Sequence, residues 1–548
     1  MSRSARLLAG ALAAAALTVS ACSGSSSESR GSGEPVSGGS LTWAVETEPT
    51  TLNPQLNGQN RTHLILRNAY ESLLYRDSDG GYVPWLADSY EVSSDARQFT
   101  FTLREDVTFS DGEPLTAAAV KVNFDHLNDP TYDENGAGQG PLAHLEEVVV
   151  IDERTVRFDL VDSFAPFLDY ASNAFLISPS SYEEDSISAG GSQVHGTGPF
   201  VISDVASGQE VTFERRDDYD WAPANAGHQG PAYLDSVTYR FLPESSVRIG
   251  ALTSEQVDVI EGIPGIDSAT LSDNDEVTVA RSSLIGAPWS IYFNTIFGPT
   301  QDESVRKAFV AAVDVDTILD SIYQGERTRA WSSLNASETQ FYQPALEGSF
   351  GNDPDLANEL LDAAGWSGRD DEGFRTNTAG ERLTITLFQG ASYVFDGRDT
   401  VLQAVQAQVK DVAGIDFDVQ QVDDGTWAEH YVANDYGALD NAIIEPGSAS
   451  LQWHWLPKEL GGAVNFSNID EDQVTTWLTQ GWSTPDVATR AAIYQDLQTH
   501  VVAERAYVLP LVESEAQVAT RDHVHGFRFR PYYNDPESAY DIWLDPAS

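Results

Sequence analysis

The sequence has almost no cysteine or lysine. Cys22 is the only cysteine in 548 residues, so no disulfide can form within the chain and the fold must hold through its core alone. Lysine occurs four times, at Lys121, Lys307, Lys410 and Lys458, and basic residues number 31 against 84 acidic ones. The resulting net charge of −53 repels nucleic acid and anionic lipid head groups and argues against both as partners. Beyond the first 20 residues there is no apolar run long enough to cross a bilayer. His-Glu-x-x-His, Gly-x-Ser-x-Gly and Cys-x-x-Cys are also missing, so no catalytic residue and no cofactor is assigned. His523 and His525 put two imidazoles on one face of a strand, which is too few ligands for a metal site, and none is assigned.

The N-terminus reads as an export signal over residues 1–21. Arg3 and Arg6 precede a short apolar stretch, Leu7 to Val19. Val19-Ser20-Ala21-Cys22 then looks like a bacterial lipobox, which implies cleavage before Cys22 and a lipid on its thiol. Ser23 to Ser40 is rich in serine and glycine and suits a flexible tether, so residues 22–40 are read as a lipid-anchored linker. Roughly 500 residues remain, enough for two or three domains with sizeable cores.

One stretch organises the rest: Phe99 to Leu127, FTFTLREDVTFSDGEPLTAAAVKVNFDHL. Its first five residues alternate apolar and polar, the period of a half-buried strand. Ser110 to Pro114 forms a turn. Thr116 is placed to cap a helix whose Val120, Phe124 and Leu127 form an apolar stripe. Further along, Val148 to Leu160 reads as two strands around Asp152-Glu153, and His63 to Tyr75 as a helix. Asp302 and Asp353 are expected N-caps, with Pro354 at the first helical position and Leu356, Leu360 and Ala363 as the buried stripe. Gly365 should end that helix in a left-handed turn. Gly196-Thr197-Gly198-Pro199-Phe200 is not followed by the Lys-Ser/Thr of a phosphate loop. It is read as a hinge-proximal turn that needs positive φ.

The Phe99–Leu127 run resembles the signature of the family 5 extracytoplasmic solute-binding proteins, the receptors of peptide/nickel-type ABC importers. The same family's wording recurs at Glu48–Pro54, Val83–Ala87, Gly196–Phe200, Val305–Asp314 and Asp353–Trp366. The resemblance implies an α/β, two-lobed periplasmic-binding-protein fold (type II, cluster C) with an extra subdomain in the first lobe. The implied boundaries are 41–70, 196–285 and 511–548 for lobe I, 71–195 for the extra subdomain and 286–510 for lobe II. It also implies a non-enzymatic, monomeric receptor that closes by a hinge around a peptide or peptide-like solute. That receptor would deliver its solute to an ABC permease from the outer face of the bacterial cytoplasmic membrane. Non-peptide ligands of the same fold (a nickel chelate or an oligosaccharide) and a secreted glycosidase are the alternatives.

Peptide-binding members of the family carry an acidic anchor in a loop of the form W-x-x-D-x-x-D-P. Here the loop, Asp440 to Leu451, lacks that tryptophan and aspartate at their places, and Glu445 is the acid within reach. No arginine or lysine lies between Trp427 and Leu456. Aromatic rings stand there instead, and rings with a few amides suit a sugar, a planar heterocycle or a cation. The candidate ligand-binding residues are Asn57, Trp289, Tyr292, Trp427, Glu445, Trp453, His454 and Trp455.

Overall fold

A computed structural model describes residues 34–56, 63–129, 142–183, 187, 188, 190–445, 447–457, 460, 462 and 464–546. The signal, Cys22, the tether up to residue 33 and Asn57 lie outside the described residues.

The first lobe is built on a seven-stranded mixed sheet. Its order is Val277–Ser283, Glu515–Arg521, Val259–Glu261, Ser40–Val45, Ser236–Phe241, Glu210–Arg215 and Phe200–Ala206. Ser40–Val45 lies centrally, parallel to both neighbours, with Trp43 opposite Tyr239 on one side and Val259 on the other. A central parallel strand is covered on both faces. Accordingly Leu41, Trp43, Ala44 and Val45 are all buried, and Trp43 stacks on Tyr239 at 5.6 Å.

A four-stranded antiparallel sheet adjoins this lobe, in the order Ala87–Val92, Gln98–Leu103, Thr155–Leu160 and Leu145–Val150. The alternation read in Phe99–Leu103 is met: Phe99, Phe101 and Leu103 are buried and Thr100 and Thr102 are not. Thr116 caps the helix Ala117–Leu127 by accepting from the Ala119 N–H at 3.1 Å. Phe124 of that helix packs on Phe158 of the sheet, with centroids 4.6 Å apart.

The second lobe has a five-stranded sheet in the order Asp416–Val422, Thr384–Gly390, Ala438–Ile443, Ala287–Phe293 and Val508–Val512. Helices Glu303–Ala312, Pro354–Ala363 and Arg398–Ala413 share a core with one face. Helices Gly447–Trp455, Asp472–Ser483 and Val487–Thr499 share a core with the other. The chain passes between the lobes twice, through Leu284–Gly286 and through Glu513–Ser514. The two crossings are bonded to each other, Leu284 N–H to Ser514 C=O at 2.8 Å.

Three sequence expectations need correction. The helix from His63 stops at Leu66 instead of continuing to Tyr75, and Leu74–Arg76 is a strand. Asn68 ends it, because its side-chain amide donates to the Leu64 and Ile65 carbonyls at 3.1 and 3.0 Å. In the helix Pro354–Ala363, Leu356 is 42% exposed, whereas Ala357 and Leu361 are buried. The packed face is thus rotated by one residue, towards the helix Glu303–Ala312. Gly196 and Gly198 do not have positive φ. They are small because of a close approach: a Cβ on Gly198 would lie 2.6 Å from the Ala69 carbonyl carbon, and the Gly198 N–H bonds the Ala69 oxygen. Asp302, Asp353 and Gly365 act as expected, the two aspartates as caps and the glycine at φ 87°.

Candidate functional site

In open α/β sheets ligands collect outside the carboxyl ends of the strands, where the connections change side. The second lobe has such a point between Thr384–Gly390 and Ala438–Ile443, which run parallel. The helix Arg398–Ala413 leaves the first strand on one face, and Asp424–Ala433 enters the second from the other. Ala287–Phe293 is antiparallel to Ala438–Ile443, so its N-terminal end, next to the crossing, lies at the same edge. This edge faces the first lobe.

Trp289 and Asp440 meet at this edge. The Trp289 Nε1–H donates to Asp440 Oδ2 at 2.8 Å, and Gln389 Nε2 adds a second bond at 3.2 Å. Asp440 is fully buried, and burial raises its carboxyl above the ordinary range. The Arg398 guanidinium lies 5.1 Å from the Trp289 ring and 3.9 Å from the Phe395 ring.

Tyr292, Trp427, His454 and Trp455 lie on the opposite face of the sheet. Tyr292 stacks on His454 at 4.8 Å and 3°, with Trp455 and Phe466 against it. All three of Tyr292, His454 and Trp455 are 1% exposed, so they form the core beneath the helix Gly447–Trp455 instead of an open wall. Burial pushes the His454 imidazole down to about 4, which keeps it neutral. Trp427, Trp453 and Glu445 keep partly exposed surface. Trp427 belongs to a ring cluster with Tyr393, Tyr431 and Phe466. Glu445 borders the crossing: a Cβ on Gly286 would come within 2.8 Å of its backbone nitrogen. His523 bonds Asp258, and His525 packs on Trp543, so the two imidazoles serve separate contacts.

Sequence reasoning missed the residues that bridge the lobes. Tyr532 of the first lobe donates to Glu338 of the second, and Glu338 also takes the Gly447 N–H at 3.0 Å. Arg76 stacks on the Tyr532 ring at 3.7 Å and pairs with Asp169. Burial pushes the Glu338 carboxyl up to about 7 despite the Tyr532 hydrogen bond and the field of Arg76. Near the crossings, the Gly265 N–H donates to Asp396 at 3.1 Å, and Arg327 bridges Asp396 and Glu515 at 2.9 and 3.1 Å. Gln340 reaches the Asp79 carbonyl at 3.0 Å, and Trp482 takes the Ala165 N–H at 2.7 Å. The one available signal was rarity. With so few basic residues, Arg528 and Arg530 within five residues of Tyr532 and Tyr533 mark a segment with a specific task.

Two α/β bodies on a paired double crossing, bonded to each other through Tyr532 and Glu338, define a two-lobed binding protein of the type II periplasmic class. The chain belongs to the bacterial extracellular solute-binding proteins of family 5, whose characteristic segment it matches over residues 81–446. It works as the substrate-binding receptor of an ABC importer. Relatives include the nickel-binding periplasmic protein of Escherichia coli K12, 26% identical over 510 residues, covering 89% of this chain and 91% of that one. The glutathione-binding protein GsiB of Salmonella typhi is 26% identical over 502 residues, covering 89% and 91%. Among solved structures, NikA of Brucella suis with Fe(III)-EDTA has a TM-score of 0.79 at 23% identity, covering 92% of this chain and all of that one. The oligopeptide-binding protein AppA of Bacillus subtilis with a nonapeptide has a TM-score of 0.75 at 20% identity, covering 94% and 100%.

Proposed function

We propose that the mature protein is held by a lipid on Cys22 at the outer face of the bacterial cytoplasmic membrane. It acts there as a monomer, catalyses no reaction, and passes its solute unchanged to the permease subunits. The observation that carries the receptor reading is the pair of bonded crossings, Leu284–Gly286 and Glu513–Ser514. A double crossing lets the lobes rotate as bodies while the chain stays intact, which is what capture by closure requires.

The solute is a peptide or a peptide-like compound by kinship with dipeptide- and glutathione-binding relatives. A second reading, a non-peptide solute such as a nickel chelate or an oligosaccharide, is favoured by one observation. Residues 440–456 offer Glu445 and the buried Asp440 but no arginine or lysine, and the partly exposed groups there include Trp453. Trp427, Glu445 and Trp453 are then the second lobe's contacts, with Tyr292, His454 and Trp455 packed behind them, and Trp289 and Asn57 as further candidates.

Native mass spectrometry of protein purified without refolding tests both readings. A ladder of peptide masses supports the first, and one defined small molecule supports the second. Scattering that stays unchanged with every solute offered would remove the capture model, and turnover of an oligosaccharide would revive a glycosidase. Mass measurement of the membrane-extracted protein checks the lipid on Cys22.

A further inference from the structure

The first lobe contains a cavity of about 40 Å³ between the Arg67–Arg76 segment, the Ser172–Phe175 segment and the chain from Arg528 to Tyr540. No residue of the second lobe lines it. Its composition runs against the rest of the molecule. In a chain of net charge −53, the lining carries four arginines, Arg67, Arg76, Arg528 and Arg530, and two glutamates, Glu71 and Glu537.

The hydrogen bonding there is one-sided. Three of the four arginines keep a buried Nε–H with no partner: Arg67, Arg76 and Arg528. Arg67 and Arg76 are 7% and 3% exposed, so bulk water does not serve them. The acceptors of the lining are already engaged. Glu71 takes bonds from Tyr219, Thr197 and Trp221 at 2.6, 2.8 and 3.0 Å. Glu537 takes the Tyr75 hydroxyl and the Ser538 N–H, and Asn173 takes Arg530. What the cavity lacks is acceptor atoms, and unpaired buried donors of charged groups are costly.

We propose that this cavity is a carboxylate seat: it takes a group with acceptor oxygens and no donor, held by the Nε–H groups of Arg67 and Arg528. The size agrees. A space of about 40 Å³ admits a group as small as a carboxylate. Arginine suits the role because its planar fork still pairs outward while the Nε edge stays available. Arg67 holds Asp535 at 2.8 Å and Arg528 holds Asp541 at 2.8 Å by their terminal nitrogens, so both guanidiniums are fixed before the anion arrives. The carboxylate belongs to a small free anion or to one end of a transported solute.

The test uses the full chain and ¹³C-formate, with NMR line broadening read at constant ionic strength and chloride as the comparison ion. Wild type should show saturable binding of formate. Arg528→Lys and Arg67→Lys keep the charge and lose the Nε–H, and each should weaken formate by about tenfold or more. Arg528 is the more exposed of the two, so its variant decides the matter if Arg67→Lys fails to fold by circular dichroism. Glutathione and Fe(III)-EDTA form the second arm: competition with formate assigns the seat to a solute carboxylate, and independence assigns it to a free anion. Absent saturation, or equal formate affinity in wild type and Arg528→Lys, overturns the proposal and leaves the receptor function untouched.

Discussion

Replacing Glu338 should uncouple the lobes from pH. Glu338 is fully buried in the second lobe and takes the Tyr532 hydroxyl from the first. Its carboxyl is pushed up from 4.5 to about 7, by burial first, with Asp169 adding and Tyr532 and Arg76 opposing. When the lobes separate, water reaches the group and its affinity for a proton returns towards the ordinary value. The joined state therefore binds the proton more tightly. The favourable contribution is complete below pH 4.5 and is lost as pH rises through about 7. The rise from 4.5 to about 7 corresponds to roughly 3 kcal/mol. Glu338→Gln keeps a neutral acceptor for Tyr532 and removes the proton. Glu338→Ala leaves Tyr532 without its acceptor, a cost of about 1–3 kcal/mol that separation relieves.

X-ray scattering of the solute-free protein at pH 6 and pH 8.5 reads the result. Wild type should be the more compact at pH 6, Glu338→Gln should give one radius at both values, and Glu338→Ala should be expanded at both. Glu513, at the crossing, is also raised to about 7 by burial, with Ala336 N–H bonds opposing. The glutamine variant separates the two groups. If it keeps the full pH dependence of wild type, Glu338 is not the source and the reasoning fails.

Three more outcomes are expected. Gly198→Ala drives a Cβ into the Ala69 backbone, which cannot yield as a flexible side chain would, and should cost about 1–3 kcal/mol in urea unfolding. Leu361→Ala should cost about 2–5 kcal/mol, while Leu356→Ala stays within about 0.5 kcal/mol; equal losses would contradict the assigned helix face. Glu71, fully buried and raised to about 7 by burial against three hydrogen bonds, makes the fold less stable as pH rises from about 5 through 7. Glu71→Gln should flatten that part of the pH profile of the unfolding free energy, and an unchanged slope would assign it to other groups.

Local rules carried well where one residue decides the outcome. Thr116, Asp302 and Asp353 cap helices because an oxygen on a short side chain reaches the N–H two or three residues on, and sequence alone supplies both partners. The alternation of Phe99–Leu103 is equally self-contained. The face of Pro354–Ala363 was not, because leucines stand on both sides of the helix, Leu356 on one and Leu361 on the other, and the choice between them is made by Glu303–Ala312, about fifty residues away. The glycines of 196–198 failed in the same way: their reason is the Ala69 backbone, and no property of the segment itself announces that neighbour. The aromatic candidates show the sharper limit. Tyr292 and His454 are core and Trp427 and Trp453 are partly exposed, yet all four read alike in the sequence, since a large ring fills a core and a cleft by the same physics. Positive charge would have been the better guide, because it is scarce. Where basic residues are rare, a buried arginine needs partners, and Arg76, Arg327, Arg528 and Arg530 each found acidic ones. Arg327 sits at the crossings and Arg76 at the inter-lobe contact, so the search for acidic partners drew the cations of this acidic chain to the places where its two halves meet.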